Sequence, residues 1–567
     1  MRTPTWFASA GSVTTWALLA ASMAAPLAGQ VTERASVDSQ GVQGDGPSVA
    51  PAISADGLHV AFVSDATNLV GDDTGGRDDV FVRDLDDGTT ERVSLDSAGA
   101  EANHDSFQPS ISADGRYVVF VNQATNLVGD DTNGWYDVFV RDRQGGTTER
   151  VSVSSAGAEG DSISYYPSIS ADGRYVAFLS DAANLIGDDT NDRIDAFVRD
   201  RQSGTTERVS VGWVGLQGNG DTLDAQISAD GRYVAFSSQA TNLVAGDTNG
   251  VFDVFVRDRE SGTTEIVSID SGSGQGNRVS IVSAISAGGR YVAFSSDATN
   301  LVGGDTNART DVFVRDRQGG TTERVSVDSA GGQGNNSSYI RALSPDGRYV
   351  AFQSYSSNLV AGDTNAVPDV FVHDRQTGTT ARVSVGAAGA QGTESSDGGS
   401  LSADGRRVVF TTLSSNLVSE DTNGWDDVFV RDRCGVAGSA TFSGDGVNAD
   451  VIAPVSAQLG SSWSAPLTLG HAHGAGGVLS LKVRSNTING PTFVSPIGGR
   501  PTEVLVAGPV LAILSGSHDG STGDIASQAI PAGDFSLVGV SFAAQYVVLG
   551  GGFADYSQAV AGVIGCD

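Results

Sequence analysis

Short runs of apolar and β-branched residues, separated by glycine-containing turns, recur along most of the chain at a fixed spacing of 58 residues. The serine that opens the pattern falls at Ser54, Ser112, Ser170, Ser228, Ser286, Ser344 and Ser402. In the second copy the runs cover residues 109–112, 117–120, 137–140 and 149–153. Runs of this composition between turn signals predict β-strands, so each copy predicts a four-stranded unit.

The two ends of the repeated region predict how the units are arranged. Residues 32–38 match the fourth strand of a unit that has no other strands, and the last unit stops at residue 433 before its own fourth strand. A ring closed by the N-terminal strand uses both remnants, whereas an open solenoid would leave exposed edges. The sequence therefore predicts an all-β protein with a seven-bladed β-propeller at 31–433.

The repeat also resembles a known class. Its Ser-Ala-Asp-Gly-Arg-Tyr-Val-Ala-Phe segment, followed by Asp-Val-Phe-Val-Arg-Asp, is similar to the TolB-like, WD40-like propeller repeats of secreted bacterial proteins. The resemblance covers about residues 31–433 and implies a rigid binding platform, since such propellers serve diverse partners. The chain departs from the pattern at His59, Gly288, His373 and Arg407.

Charge and the first residues bear on localisation. The chain has 34 Lys and Arg against 67 Asp and Glu, a net charge of −33, which disfavours binding to nucleic acid or to anionic membranes. Residues 1–29 have the layout of a secretory signal peptide. We therefore expect a secreted monomer, periplasmic, cell-surface or extracellular, without a membrane span.

Residues 434–567 lose the 58-residue period and predict a separate β-sandwich domain. Cys434 and Cys566 bracket this segment. In an oxidising compartment such a pair predicts a disulfide.

The connection between the second and third strands carries a recurring Asp-x-Asn-x-x-x-Asp set. Alternating oxygen side chains can bind Ca²⁺, but Asp and Asn can equally cap turns without a metal, and the sequence leaves both interpretations open. The candidate ligands are Asp73, Asp79, Asp131, Asn133, Asp137, Asp189, Asn191, Asp195, Asp247, Asn249, Asp253, Asp305, Asn307, Asp311, Asp363, Asn365, Asp369, Asp421, Asn423 and Asp427.

The repeats differ most in the five residues before the first strand of each unit, which in a propeller line the mouth of the central channel. This variation predicts a recognition surface for a protein or polysaccharide ligand, although drift at positions that the fold does not constrain would give the same pattern. The candidate partner-binding residues are His104, Phe107, Tyr165, Tyr166, Asp221, Asp224, Arg278, Tyr339 and Arg341.

Motifs for catalysis are missing from the sequence: it has no nucleophile elbow, no His-Glu-x-x-His and no phosphate-binding loop. We therefore expect a secreted, non-enzymatic binding platform, with Ca²⁺ in the loops as one interpretation. Two alternatives stay open. One is an extracellular hydrolase or lyase that uses carboxylates at the channel mouth, and the other is a purely structural surface protein.

Overall fold

The computed structural model describes residues 31–213, 215–386 and 389–433, together with eight strand segments between residues 438 and 564. Strands, turns and bends make up these residues, with no α-helix among them. In the same part of the chain no helix is long and apolar enough to cross a membrane. The predicted signal peptide at 1–29 and both cysteines, Cys434 and Cys566, lie outside the described residues.

Seven blades account for the first twenty-eight strands. The first strand of the described residues is β1 (Val31–Arg34). The first blade contains β2 (Ser48–Ile53), β3 (His59–Ser64), β4 (Asp79–Asp84) and β5 (Thr90–Arg92). The second contains β6 (Ser106–Ile111), β7 (Tyr117–Asn122), β8 (Asp137–Asp142) and β9 (Thr147–Arg150). The third contains β10 (Ser164–Ile169), β11 (Tyr175–Ser180), β12 (Asp195–Asp200) and β13 (Thr205–Arg208). The fourth contains β14 (Thr222–Ile227), β15 (Tyr233–Ser238), β16 (Asp253–Asp258) and β17 (Thr263–Ile266). The fifth contains β18 (Ser280–Ile285), β19 (Tyr291–Ser296), β20 (Asp311–Asp316) and β21 (Thr321–Arg324). The sixth contains β22 (Ser338–Leu343), β23 (Tyr349–Ser354), β24 (Asp369–Asp374) and β25 (Thr379–Arg382). The seventh contains β26 (Ser396–Leu401), β27 (Arg407–Thr412) and β28 (Asp427–Asp432).

Each blade is an antiparallel sheet whose strands follow chain order, and the seventh is completed from the other end of the chain. Its order is β1-β28-β27-β26, with Val31 opposite Asp432 and Arg34 opposite Phe429. First strands of neighbouring blades contact one another around the ring, including β26 with β2. The predicted seven-bladed propeller, closed by the N-terminal strand, is confirmed.

The core lies between adjacent blades because the middle strands are apolar on both faces. In the second blade Phe120 and Phe139 are fully buried, and their rings stack at 6.0 Å. Phe120 packs against Val82 of the first blade, whereas Val140 packs against Phe178 of the third. Each blade therefore buries its apolar residues only by meeting both neighbours, which makes the ring a continuous core.

Strand register defines two faces of the ring. Ser48 lies opposite Ser64 and Ser64 opposite Asp79, so the start of the first strand and the loop between the second and third strands share one face. Ser94, in the connection to the next blade, donates from Oγ to Asp79 Oδ1 at 2.6 Å and therefore lies there too. We call this side the loop face, and the opposite side, with the tight turns, the hairpin face.

Arginines join adjacent blades on the hairpin face. The guanidinium of Arg116 lies 4.7 Å from the Tyr117 ring centroid, and that of Arg201, from the third blade, lies 4.6 Å from the same ring. Arg116 also donates to both carboxylate oxygens of Asp142, at 2.9 and 2.6 Å. This pairing lowers the pKa of Asp142 to about 2.

Several strand boundaries of the second blade differ from the sequence-based expectation. The first strand of the second blade begins at Ser106 rather than at residue 109, and the fourth ends at Arg150 rather than at 153. The first strand extends past a bulge, where its register against β7 shifts between Phe107 and Ser110. The variable residues therefore lie largely inside the innermost strand, and not only in front of it.

Eight further strands are described beyond residue 433: β29 (Gly438–Ser443), β30 (Val455–Ala457), β31 (Trp463–Thr468), β32 (Val478–Val483), β33 (Ala512–Leu514), β34 (Ser527–Ala529), β35 (Val540–Ala544) and β36 (Ala559–Ile564). They form one four-stranded sheet, ordered β30-β29-β36-β35, and the two-stranded sheets β31-β32 and β33-β34. The β-sandwich at 434–567 stays a prediction.

Candidate functional site

The acidic loops of the loop face enclose an arginine that the sequence analysis did not include. In the second blade Arg150, at the end of β9, has a 3% exposed side chain. Its Nη1 lies 2.9 Å from Glu159 Oε2 and 3.5 Å from both Asp131 Oδ2 and Asp137 Oδ2. A guanidinium thus provides the positive charge that a bound cation would otherwise bring to these carboxylates.

The asparagine of the motif holds the loop by hydrogen bonds. Asn133 donates from Nδ2 to Asp137 Oδ2 at 3.0 Å and to the Gly160 carbonyl at 2.9 Å. Its Oδ1 accepts from the backbone N–H of Trp135 at 2.8 Å. These contacts are those of a turn cap that also ties the loop to the connection entering the next blade.

Arginine occupies the same place in every blade except the fourth. The arginines, which pair with the loop carboxylates of their blades, are Arg34, Arg92, Arg150, Arg208, Arg324 and Arg382. In the fourth blade the position is Ile266, and Gln275 Nε2 instead donates to Asp247 Oδ1 at 2.7 Å and Asp253 Oδ2 at 2.8 Å. The recurring Thr-Glu-Arg of the fourth strand was the sequence signal for this partner.

Burial shapes the protonation of these carboxylates. It raises the pKa of Asp79, Asp131 and Asp195 to about 6, although the neighbouring arginine lowers each of them. Burial likewise raises the pKa of Asp253, which has no arginine partner in its blade. Burial therefore disfavours the ionised form of these loop carboxylates even where an arginine pairs with them.

The loops fit the turn-cap interpretation in their hydrogen bonds, and their carboxylate oxygens are also of the type that Ca²⁺ prefers. Within the described residues one group of three such oxygens lies close enough for a single ion, from Asp73, Asp79 and Glu101, all within 4.8 Å of one another. Calcium binding by the other predicted ligands stays a prediction.

The predicted partner-binding residues lie around the channel mouth on the loop face. Phe107, Tyr165, Tyr166, Asp224, Tyr339 and Arg341 are in first strands, whereas His104, Asp221 and Arg278 are in the connections that precede those strands. His104 and Arg278 are exposed. The side chain of Asp221 pairs with Arg193 Nη1 at 3.6 Å.

Bulges give this rim an unusual backbone. Four residues 58 positions apart have positive φ although none is glycine: Ala50 at 52°, Gln108 at 53°, Tyr166 at 50° and Asp224 at 50°. Positive φ in non-glycine residues costs about 1–3 kcal/mol and is enriched at functional sites. The structure thus places the most variable side chains at the most strained positions of the innermost strands.

Aromatic residues cluster at three points of the rim. Tyr165 and Tyr166 meet edge to face with ring centroids 5.2 Å apart, and the Tyr166 N–H donates to Gln108 Oε1 of the second blade at 2.8 Å. Phe107 lies 6.1 Å from Tyr136, and Tyr339 lies 6.4 Å from Tyr355. Tyr136 and Tyr355 were not predicted, because they follow the second strand of their blades rather than precede the first.

Two charged residues of the rim contrast in their partners. Arg341 donates from Nη2 to Asp397 Oδ1 at 2.6 Å and to Gln353 Oε1 at 2.9 Å. For Asp224, no hydrogen bond or ion pair connects its carboxylate to the described residues. Burial alone raises the pKa of Asp224 to about 6. The rim therefore holds a desolvated carboxylate that no described cation neutralises.

Comparison with known proteins gives structural likeness only. No family model matches the chain, and no curated protein matches it. Among solved structures, TolB from Acinetobacter baumannii is 16% identical, with a TM-score of 0.33 over 70% of this chain and 82% of that one. An oligogalacturonate lyase in complex with manganese is 12% identical, with a TM-score of 0.44 over 71% and 92% of the two chains.

An acylaminoacyl peptidase from Pyrococcus horikoshii is 10% identical, with a TM-score of 0.41 over 74% of this chain and 57% of that one. Identities and scores this low carry no argument about function, so the fold assignment rests on strand order and on the repeat. On that basis the chain is a seven-bladed β-propeller.

Proposed function

We propose that the chain is a secreted, non-enzymatic binding platform that recognises an extracellular protein or glycan through the loop face at the channel mouth. The observation that carries this proposal is the presence of exposed aromatic side chains, packed against a second ring, on the first strands of the blades. Tyr166 is 46% exposed and Tyr339 38% exposed, and each contacts a second tyrosine that fixes its ring. Rigid aromatic anchors of this kind dominate the binding energy at recognition surfaces.

Charge restricts the ligand. Asp181 and Asp221 are close enough to Tyr165 to contribute, after burial, to the raised pKa of its phenol, about 12. Asp397 pairs with Arg341, the one cationic side chain of the predicted rim found in a described first strand. A rim with this excess of carboxylates favours a neutral or cationic ligand over an anionic one.

The test is binding of the immobilised full chain to a panel of neutral, cationic and anionic oligosaccharides and to purified extracellular proteins. For each ligand found, Tyr166→Ala and Tyr339→Ala should each weaken affinity by about 10-fold or more, as truncation of an aromatic anchor does. Gln144→Ala, on the hairpin face, is the matched control and should leave affinity unchanged. A ligand whose affinity responds to Gln144→Ala but to neither tyrosine would contradict the proposal.

Asp224 is the observation that favours an enzyme as a second candidate. Hydrolysis or elimination on a polysaccharide would use such a carboxylate as acid or base. In that case Asp224→Asn abolishes turnover of any polysaccharide that the chain degrades, whereas a binding platform shows no turnover to lose and at most a graded change in affinity.

A further inference from the structure

Two side chains distinguish the loop of the first blade: one differs from all six other blades and the other from five of them. Gly75 stands where the others have the asparagine that donates to the buried aspartate. Glu101 adds a carboxylate at a position that is glutamine in all the other blades except the second, which has Glu159. The first blade therefore combines one more carboxylate with one amide donor fewer.

The oxygens that result are spaced for one ion. One carboxylate oxygen each from Asp73, Asp79 and Glu101 lies within 4.8 Å of the other two. Ca²⁺ binds oxygens at about 2.3–2.6 Å, so oxygens on opposite sides of one ion are about 4.6–5.2 Å apart. The three carboxylates can therefore reach a common centre without a change of the backbone.

A second, independent observation concerns the hydrogen bonding of Asp73. Its side chain is only 1% exposed, and its Oδ2 is buried without a hydrogen-bond partner, although Oδ1 accepts from the Gly75 N–H at 3.2 Å. A buried carboxylate oxygen normally has a donor or a metal, because leaving it bare costs desolvation energy. The bare oxygen belongs to the same group of three carboxylates.

Arg92 does not form a close hydrogen bond to these three carboxylates. Its Nη1 lies 3.5 Å from Asp73 Oδ1 and 3.3 Å from both Asp79 Oδ2 and Glu101 Oε2, beyond the ~2.7–2.9 Å of a charge-assisted hydrogen bond. Its Nη2 is directed to Asp72 instead, 3.1 Å from the carbonyl oxygen and 3.5 Å from Oδ1. Four carboxylates thus face a single guanidinium, which leaves a net negative charge for a second cation.

We propose that the first blade binds one Ca²⁺ through Asp73, Asp79 and Glu101, with Arg92 retaining its contacts to Asp72. The oxygen-only donors suit a hard cation. Mg²⁺ binds more weakly, because it requires shorter distances and a stricter octahedron. This proposal is independent of the function proposed above.

The test is calorimetric titration of the chelator-treated full chain with CaCl₂. One Ca²⁺ should bind per chain, and Glu101→Gln and Asp73→Asn should each weaken affinity by about 10-fold or more, since ligand charge sets the affinity of such sites. Asp363→Asn changes the equivalent residue of the sixth blade, where Asn365 and Gln391 are present, and should leave the affinity unchanged.

Gly75→Asn keeps every carboxylate and restores the amide that the other blades have, so it tests the site without removing a charge. Gly75 does not have a positive φ, and an added Cβ would approach two side chains and no backbone atom: the carboxylate end of Glu101 at 2.5 Å and Cγ of Arg77 at 3.3 Å. This variant should fold as the parent does and weaken Ca²⁺ binding by about 10-fold or more, because the amide would donate to Asp79 in place of the ion.

Several results would overturn the assignment. They are the absence of binding at millimolar Ca²⁺, a stoichiometry near seven that points to all the loops alike, and an affinity that survives both Glu101→Gln and Gly75→Asn. Equal weakening by Asp363→Asn would also contradict it, because the effect would then not be specific to the first blade.

Discussion

Single residues on the loop face differ in how well their charges are satisfied. Asp221 and Arg341 each have an ion-pair partner, at 3.6 and 2.6 Å respectively. Asp224 combines a positive φ of 50° with a pKa that burial raises to about 6. Since strain and an unmatched charge both lower stability, their coincidence at one position is expected where binding, rather than folding, determines the residue.

Replacing this carboxylate should stabilise the protein at neutral pH. Asp224→Asn removes a desolvated charge, so the free energy of unfolding at pH 7.5 should rise by about 1 kcal/mol. Because the folded-state pKa is raised from 3.8 to about 6, the cost of the charge is fully present above pH 6 and decreases progressively as the pH falls from 6 towards 3.8. Urea unfolding at pH 7.5 and at pH 5 measures this. A gain of equal size at both pH values would contradict the explanation.

At the scale of a structural element, each blade joins its loop to its fourth strand through a buried arginine. The pairing recurs because Phe139 lies opposite Arg150 in the register of β8 and β9, which brings the arginine to the loop end of the blade. In the fourth blade the same register places Ile266 opposite Phe255, so Asp247 and Asp253 meet an amide rather than a cation. The fourth blade, which lacks the arginine, can therefore be compared with the other blades to measure how much this ion pair contributes to stability.

Arg150→Ile copies the fourth blade into the second. It should lower the free energy of unfolding by about 3 kcal/mol or more, because the buried carboxylates of Asp131 and Asp137 and the partly exposed carboxylate of Glu159 are left without a cation. The reverse variant, Ile266→Arg, should raise it by about 1 kcal/mol, since a partner is added to carboxylates that are already buried. Chemical denaturation of both variants and the parent measures the contribution of this ion pair to the free energy of unfolding. If both variants are less stable than the parent, the packing of the side chain at this position matters more than its charge.

The whole ring depends on one short strand at its start. Besides pairing with β28, the segment that follows β1 places Ser36, whose Oγ donates to Asp427 Oδ1 at 2.6 Å. Arg34 lies 3.4 Å from Asp421 and 3.3 Å from Asp427. The N-terminal residues thus supply both the edge strand and the buried cation of the seventh blade.

Removing residues 31–38 should open the ring. We expect a loss of several kcal/mol and a melting temperature lower by about 10 °C or more, because about 1 kcal/mol corresponds to 2–4 °C in a domain of 150–250 residues. Differential scanning calorimetry against a chain that begins at residue 31 measures the effect. An unchanged melting temperature would mean that closure contributes nothing to stability.

The two faces together set the pH dependence of the molecule. On the loop face the folded pKa of Asp79, Asp131 and Asp195 is about 6, so folded protein takes up protons that unfolded protein does not, and stability rises as the pH falls from 7 through 6. On the hairpin face arginines lower the pKa of Asp142 and Asp316 to about 2, so their contribution is lost only as the pH falls below about 3.8.

We therefore expect the highest melting temperature between about pH 4 and pH 6, below neutrality. A thermal scan from pH 3 to pH 8 at constant ionic strength measures the profile. A melting temperature that falls steadily from pH 7 to pH 5 would show that the loop carboxylates are ionised in the folded protein at pH 5.

The sequence by itself determined the repeat, the four strands of each blade and the closure of the ring. Strand alternation and turn residues act over a few positions, and a period of 58 repeats that local information without interruption, so the pattern could be followed from Ser54 to Ser402. The count of seven blades followed from the seven copies of the repeat, and ring closure followed from the unmatched strand at residues 32–38 and the missing strand after residue 433. These are local patterns, and they were predicted correctly.

Tertiary structure decided which side chains meet. Arg150 pairs with Asp131, and the ring of Tyr339 contacts that of Tyr355 in the same blade. Neither pair is adjacent in the sequence. Tyr166 and Asp224 lie in bulges of the first strands of the third and fourth blades, and both have positive φ. Contacts of this kind depend on packing between segments that are distant in the chain, so the charge balance of the loops and the shape of the rim could not be read from any single stretch of residues.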